Sequence, residues 1–128
     1  MSQWRRKAIE SVPLLKPEIE EANNPMALWI EFHFQLENAY EQESSQDELI
    51  KQIYVYAHWC LWEARNDDIF TAVVYGFYEH VLTHKKIRQD LPNQMSRKDF
   101  LALDGYLAYH LTEEEFRVYK AQFLAEPE

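Results

Sequence analysis

Apolar residues recur at spacings of three and four along almost the whole chain, the pattern of amphipathic helices. From Gln3 to about Ala22 it predicts a helix interrupted near Pro13 and Pro17, because proline lacks an N–H and restrains the residue before it. Asn24-Pro25 offers a cap followed by proline at the first helical position, so a second helix should start there and run to about Glu43. Met26, Trp29, Ile30, His33, Leu36 and Tyr40 fall on one stripe of it, with Phe32 on a flank. Ser44 to Asp47 breaks the pattern, and Ser45 with Glu48 has the form of a capping box. The next helix carries Leu49, Ile50, Ile53, Ala57, Cys60, Leu61 and Ala64 on a core face, widened by Tyr54, Tyr56, His58, Trp59 and Trp62. Such breadth predicts cover on more than one side.

Arg65 to Asp68 punctuates again, and Asp67 or Asp68 is expected to cap a helix from Ile69 to about His84, with Ile69 or Phe70, Val73, Phe77 and Val81 facing the core. Lys85 to Asp90 reads as a short helical turn that Leu91-Pro92 ends. Ser96 with Asp99, and Thr112 with Glu115, have the form of capping boxes opening two last helices. These carry Phe100, Leu103, Tyr106 and Leu107, then Phe116, Tyr119 and Phe123, and a short joint at His110-Leu111 predicts a helical hairpin. The β-favouring runs Ile53 to Tyr56 and Val73 to Tyr75 lie inside longer helical stripes, so length assigns them to helix. The expected fold is all-α: a single compact bundle of five to six helices over residues 1–128, with 1–23 a proline-interrupted N-terminal segment and 24–124 the core helices.

Composition narrows the chemistry. There are two glycines, Gly76 and Gly105, where average usage would give about nine. Dinucleotide fingerprints, Walker loops and nucleophile elbows each need at least two glycines within a few positions, so these classes are excluded. Gly76 falls inside a helical pattern, where glycine is ~1 kcal/mol less favourable than alanine, which calls for a packing or pocket reason. Thirteen Lys and Arg against 22 Asp and Glu leave a net charge of −9. That excess repels nucleic acid and, beyond favouring solubility, suits a basic protein partner. The cationic clusters are Arg5-Arg6-Lys7 and Lys85-Lys86 with Arg88. A single cysteine, Cys60, allows neither an intrachain disulfide nor a C-x-x-C site. With a polar start and no apolar run near ~18 residues, a cytoplasmic protein without membrane contact is expected.

Several constellations bear on chemistry. His80 and His84, four apart on a helix, would share a face and could share a metal ion, but Val81-Leu82-Thr83 between them contains no glutamate. No glutamate is followed by histidine three positions on, so a metal would need ligands from elsewhere, and a helix-end histidine pair is the simpler reading. Ala72, Gly76, His80 and His84 form one i, i+4 line that could floor a cleft beside Tyr78 and Glu79, or simply let another helix approach. His58 and Cys60 point about 200° apart on a helix, so they do not pair, and Cys60 reads as a buried inert thiol. Trp59, Trp62, Tyr54, Tyr56, Tyr75 and Tyr78 exceed what single stripes hide, which leaves a partner interface and a thick aromatic core both open.

Tyr56-Ala57-x-Trp59-Cys60-Leu61, Ala64-Arg65-Asn66-Asp67-Asp68, Phe77-Tyr78-Glu79-His80, Asp90-Leu91-Pro92 and Tyr109-His110-Leu111-Thr112-x-Glu114-Glu115-Phe116 resemble a family of small bacterial proteins of unknown function. The resemblance spans about residues 45 to 124 and implies a bacterial, mostly helical domain. It carries over no activity, cofactor or catalytic residue.

The functional expectation is a non-enzymatic intracellular protein-binding module, an inhibitor or immunity-type partner of a basic protein, with homo-oligomerisation open. Its acidic, aromatic-bearing face would use Trp59, Trp62, Tyr75, Tyr78, Glu79 and His80. No catalytic residue and no cofactor is assigned. The alternative is a small enzyme or ligand-binding protein with a cleft around Gly76, Glu79 and His80, with His80 and His84 as metal ligands.

Overall fold

The computed structural model describes residues 1–125, and among them all regular structure is helical. In order come α1 (Gln3–Ser11), a 3-10 turn (Pro13–Leu15), α2 (Lys16–Glu21), α3 (Pro25–Glu41), α4 (Asp47–Trp62) and α5 (Asp67–Val73). A π-helical turn (Val74–Tyr78), a 3-10 turn (Val81–Thr83), α6 (Lys85–Gln94), α7 (Arg97–Leu107) and α8 (Glu113–Ala125) complete the order. The all-α expectation holds, with eight α-helices among the described residues where five to six were expected. The prolines part α1 from α2, and residues 85–94 form a full helix.

Local signals placed most helix starts. Asn24 Oδ1 accepts the Ala27 N–H at 2.8 Å with Pro25 at the first helical position, and Ser96 Oγ accepts the Asp99 N–H at 3.1 Å. Thr112 and Glu115 close a reciprocal box, side chain to backbone in both directions at 3.0 and 3.1 Å. Two starts differ from expectation. The cap of α5 is Asn66, whose Oδ1 takes the N–H groups of Asp68 and Ile69, so Asp67 and Asp68 sit in the first turn, where the helix dipole favours anions. Because α4 begins at Asp47 with Gln46 as its cap, Ser45 lies one position too early for the box, and Glu48 instead accepts from Gln52 at 3.0 Å.

The long helix expected over 69–84 is broken. Its α-helical part ends at Val73, and the wider π turn rotates the later residues out of register, so Ala72, Gly76, His80 and His84 do not form one line. Gly76 lies within this turn, where a Cβ would stand 3.0 Å from Trp29 Cβ and 3.1 Å from Met26 Sδ, tighter than ordinary contact, so the missing side chain lets the turn rest closely on α3.

The expectation that Pro92 ends a helix is also corrected, for it lies inside α6. Proline removes the donor that would serve the Arg88 carbonyl one turn earlier. The Tyr119 hydroxyl, arriving from α8, donates to that carbonyl at 2.7 Å and takes the missing N–H's place. Burial pushes the Tyr119 hydroxyl well above the usual phenol range, against a smaller opposing pull from Arg88, so it stays protonated as a donor.

Contacts gather in two units, Met1–Phe77 and Tyr78–Glu128. In the first, α3 packs on α4 and α5, α4 also packs on α1 and α5, and α2 touches α1 and α3. Its nucleus is Trp29, fully buried, stacked on Tyr56 at 5.4 Å, edge-on to Phe32 at 5.4 Å and tilted on Phe77 at 4.8 Å. The Tyr56 hydroxyl donates to the Trp4 carbonyl at 2.9 Å, tying α4 to α1. Arg5 donates to the carbonyls of Ile19, Glu20 and Ala22 at the end of α2, where Ile19 also accepts the Ala22 N–H at 3.3 Å. In the second unit Phe100 of α7 stacks on Phe123 of α8 at 4.0 Å and on Phe116 at 6.0 Å.

Candidate functional site

The aromatic excess divides between core and surface. Trp59 is buried and stacked on Tyr56 at 5.8 Å, Tyr54 is buried edge-on to Phe77 at 5.7 Å, and Tyr78 is buried. Trp62 and Tyr75, at 39% and 47% exposure, reach solvent. Of the six residues expected on a binding face, Glu79 is also buried and His80 is half-buried. Of those six, Trp62 and Tyr75 are therefore the ones that supply exposed aromatic surface.

Other apolar groups join them that the sequence does not single out. Ile30 and Phe34, one turn apart on α3, are 59% and 55% exposed, while Leu28, Trp29, Phe32, Leu36 and Ala39 form the buried face. This corrects the expectation that Ile30 lies on the core stripe. The helix has apolar residues nearly all round, and periodicity does not choose which of two stripes turns inward. Phe70 on α5 is also exposed.

Charge is distributed unevenly. Residues 1–77 hold 6 Lys and Arg against 13 Asp and Glu, a net −7 of the chain's −9. Where α4 gives way to α5, exposed Glu63, Asp67 and Asp68 stand next in sequence to exposed Trp62 and Phe70. Asn24, Pro25, Met26, Asp68 and Thr71 line an open cleft of about 320 Å³.

His80 has a partner other than the expected one. Its Nδ1 lies 3.1 Å from Nε2 of His110, with ring centroids 5.0 Å apart, so the start of the 3-10 turn meets the joint between α7 and α8. Such a bond needs one ring neutral to accept the other's N–H. His84 leaves the helical path and caps α6, its Nδ1 accepting the Ile87 N–H at 3.4 Å. Among the described residues no group of three or more His, Cys, Asp or Glu is placed to hold a metal ion. The histidine pair lay beyond sequence reasoning because its members are 30 residues apart.

Cys60 is buried, and burial pushes its thiol up to about 12, with the neighbouring Tyr56 and Trp29 side chains opposing this only in part. A thiolate is therefore strongly disfavoured in the folded protein. Among the described residues no helix is long and apolar enough to cross a membrane.

No protein-family model, no curated protein and no solved structure matches this chain.

Proposed function

We propose that the protein binds a basic protein partner through the acidic corner between α4 and α5, without catalysis, as an inhibitor or immunity-type partner would. The observation that carries this reading is that Trp62 and Phe70, both exposed, bracket exposed Glu63, Asp67 and Asp68 in the sequence from the end of α4 into α5, in a unit of net charge −7. Aromatic anchors within a charged rim are what interfaces concentrate, and an acidic field steers a cationic partner into place. The cleft lined by Asp68, with Met26 and Pro25 also in its lining, suits the charged head and aliphatic stem of a lysine or arginine. The charges of Arg5, Arg6 and Lys7 are already counted in that −7, and Arg5 is directed at the carbonyls ending α2.

The test is stoichiometric binding with purified components. A basic protein recovered on the wild type should bind it in a salt-sensitive manner and bind Trp62→Ser and the Asp67→Lys/Asp68→Lys double variant at least about tenfold more weakly. Failure to recover such a partner, or one indifferent to both variants, overturns the reading. A doubled mass in light scattering, abolished by Trp62→Ser, would replace it with self-association.

A further inference from the structure

A second cleft, of about 620 Å³, lies wholly within residues 78–125 and is independent of the acidic corner. Its walls come from the 3-10 turn, α6 and α8. Among the described residues no acidic side chain lines it, whereas Lys85 and Arg88 both do. Thr83, Gln89 and Gln122 add neutral hydrogen-bonding groups, and Leu82, Pro92 and Phe123 add apolar surface. The volume falls in the range of small-molecule sites, which pair an apolar lining with a few convergent polar groups.

We propose that this cleft binds a small organic anion, its phosphate or carboxylate held by Lys85 and Arg88 and its apolar body set against Leu82, Pro92 and Phe123. The geometry around Pro92 supports a preformed site. Pro92 strips the Arg88 carbonyl of its helical donor, the Tyr119 hydroxyl replaces it at 2.7 Å, and this pins α8 against α6 at the level of the cleft. The Arg88 guanidinium in turn lies 5.4 Å from the centre of the Tyr119 ring, a cation–π contact that limits its freedom before any ligand arrives. Glu115 also feels that charge: its carboxyl is held below the usual range first by its bonds with the Thr112 backbone and hydroxyl, with a smaller pull from Arg88. A planar guanidinium and a flexible ammonium one turn apart on α6 match the oxygens of a phosphate or carboxylate, while the apolar wall would reject a bare inorganic ion.

The probes are phenyl phosphate, benzoate, inorganic phosphate and benzyl alcohol, followed by amide resonances in the whole protein. Phenyl phosphate or benzoate should shift Lys85 to Gln89 and Gln122 to Phe123 saturably, the tighter of the two identifying phosphate or carboxylate as the anion. Benzyl alcohol and inorganic phosphate should each bind at least about tenfold more weakly, and Lys85→Gln and Arg88→Gln should each weaken the best probe by a similar factor. Lys85 is exposed, so its variant keeps the test sound if loss of Arg88 loosens Tyr119. Absence of a saturable shift with either aromatic anion, equal binding of benzyl alcohol, equal binding of inorganic phosphate, or unchanged affinity in Lys85→Gln overturns the proposal.

Discussion

The two glycines should respond to the same substitution with opposite signs. In Gly76→Ala the new methyl would stand 3.0 Å from Trp29 Cβ and 3.1 Å from Met26 Sδ. Carbon atoms prefer about 3.5–4.0 Å, so several tenths of an ångström must be recovered. Met26 can swing its thioether aside. Trp29 has no such freedom, since its Cβ is one bond from the α3 backbone and its ring is held by Phe32, Tyr56 and Phe77. Overpacking of this kind costs about 1–3 kcal/mol, and the helical preference of alanine returns at most ~1 kcal/mol, leaving a net loss of up to about 2 kcal/mol even when that return is complete. A Cβ at Gly105, inside α7, meets nothing within 4 Å, and neither glycine has positive φ. Gly105→Ala should therefore gain about 0.5–1 kcal/mol from propensity alone. Urea denaturation reads both. All four tryptophans lie in residues 1–77 and report Gly76→Ala by fluorescence, while far-UV circular dichroism follows Gly105→Ala. Stability of Gly76→Ala equal to or above wild type would refute the close-packing argument, and a destabilised Gly105→Ala would refute the claim that the position is open.

Tyr119→Phe leaves the Arg88 carbonyl without its hydroxyl donor and should cost about 1–3 kcal/mol, whereas in a Pro92→Ala background the restored N–H should remove most of that penalty. Additive effects in the double-mutant cycle would show that the hydroxyl does not stand in for the helical bond. For Cys60 the folded thiol is pushed up from 9.0 to about 12, so ionisation favours the unfolded chain as pH rises through that interval. The stabilisation is complete below pH 9 and lost by about pH 12, so over that window the wild type should lose stability that Cys60→Ala does not, and native protein should resist a thiol reagent that labels it fully in urea. Parallel pH profiles of the two proteins, or rapid labelling of the native state, would contradict the burial argument.

The chain determined its helices where the decisive interaction is local. Asn24-Pro25, Ser96 and the Thr112–Glu115 box lie within three residues of the N–H groups they satisfy, so reading the sequence places those helix starts. The exclusion of glycine-loop chemistry and the inert character of Cys60 come from composition and stripe in the same way. The tertiary structure decided what depends on partners distant in sequence. Pro92 survives inside α6 because a hydroxyl from α8 replaces its missing donor, and no rule about proline and its neighbours contains Tyr119. The π turn at Gly76 rests on Trp29 and Met26 of α3, and His80 meets His110 rather than the expected His84. Surface aromatics were illegible for a related reason. Trp59 and Trp62 occupy the same helix with similar chemistry, yet which of them is covered depends on where α1 and α5 lie against α4, and periodicity along one helix carries no record of its neighbours' positions.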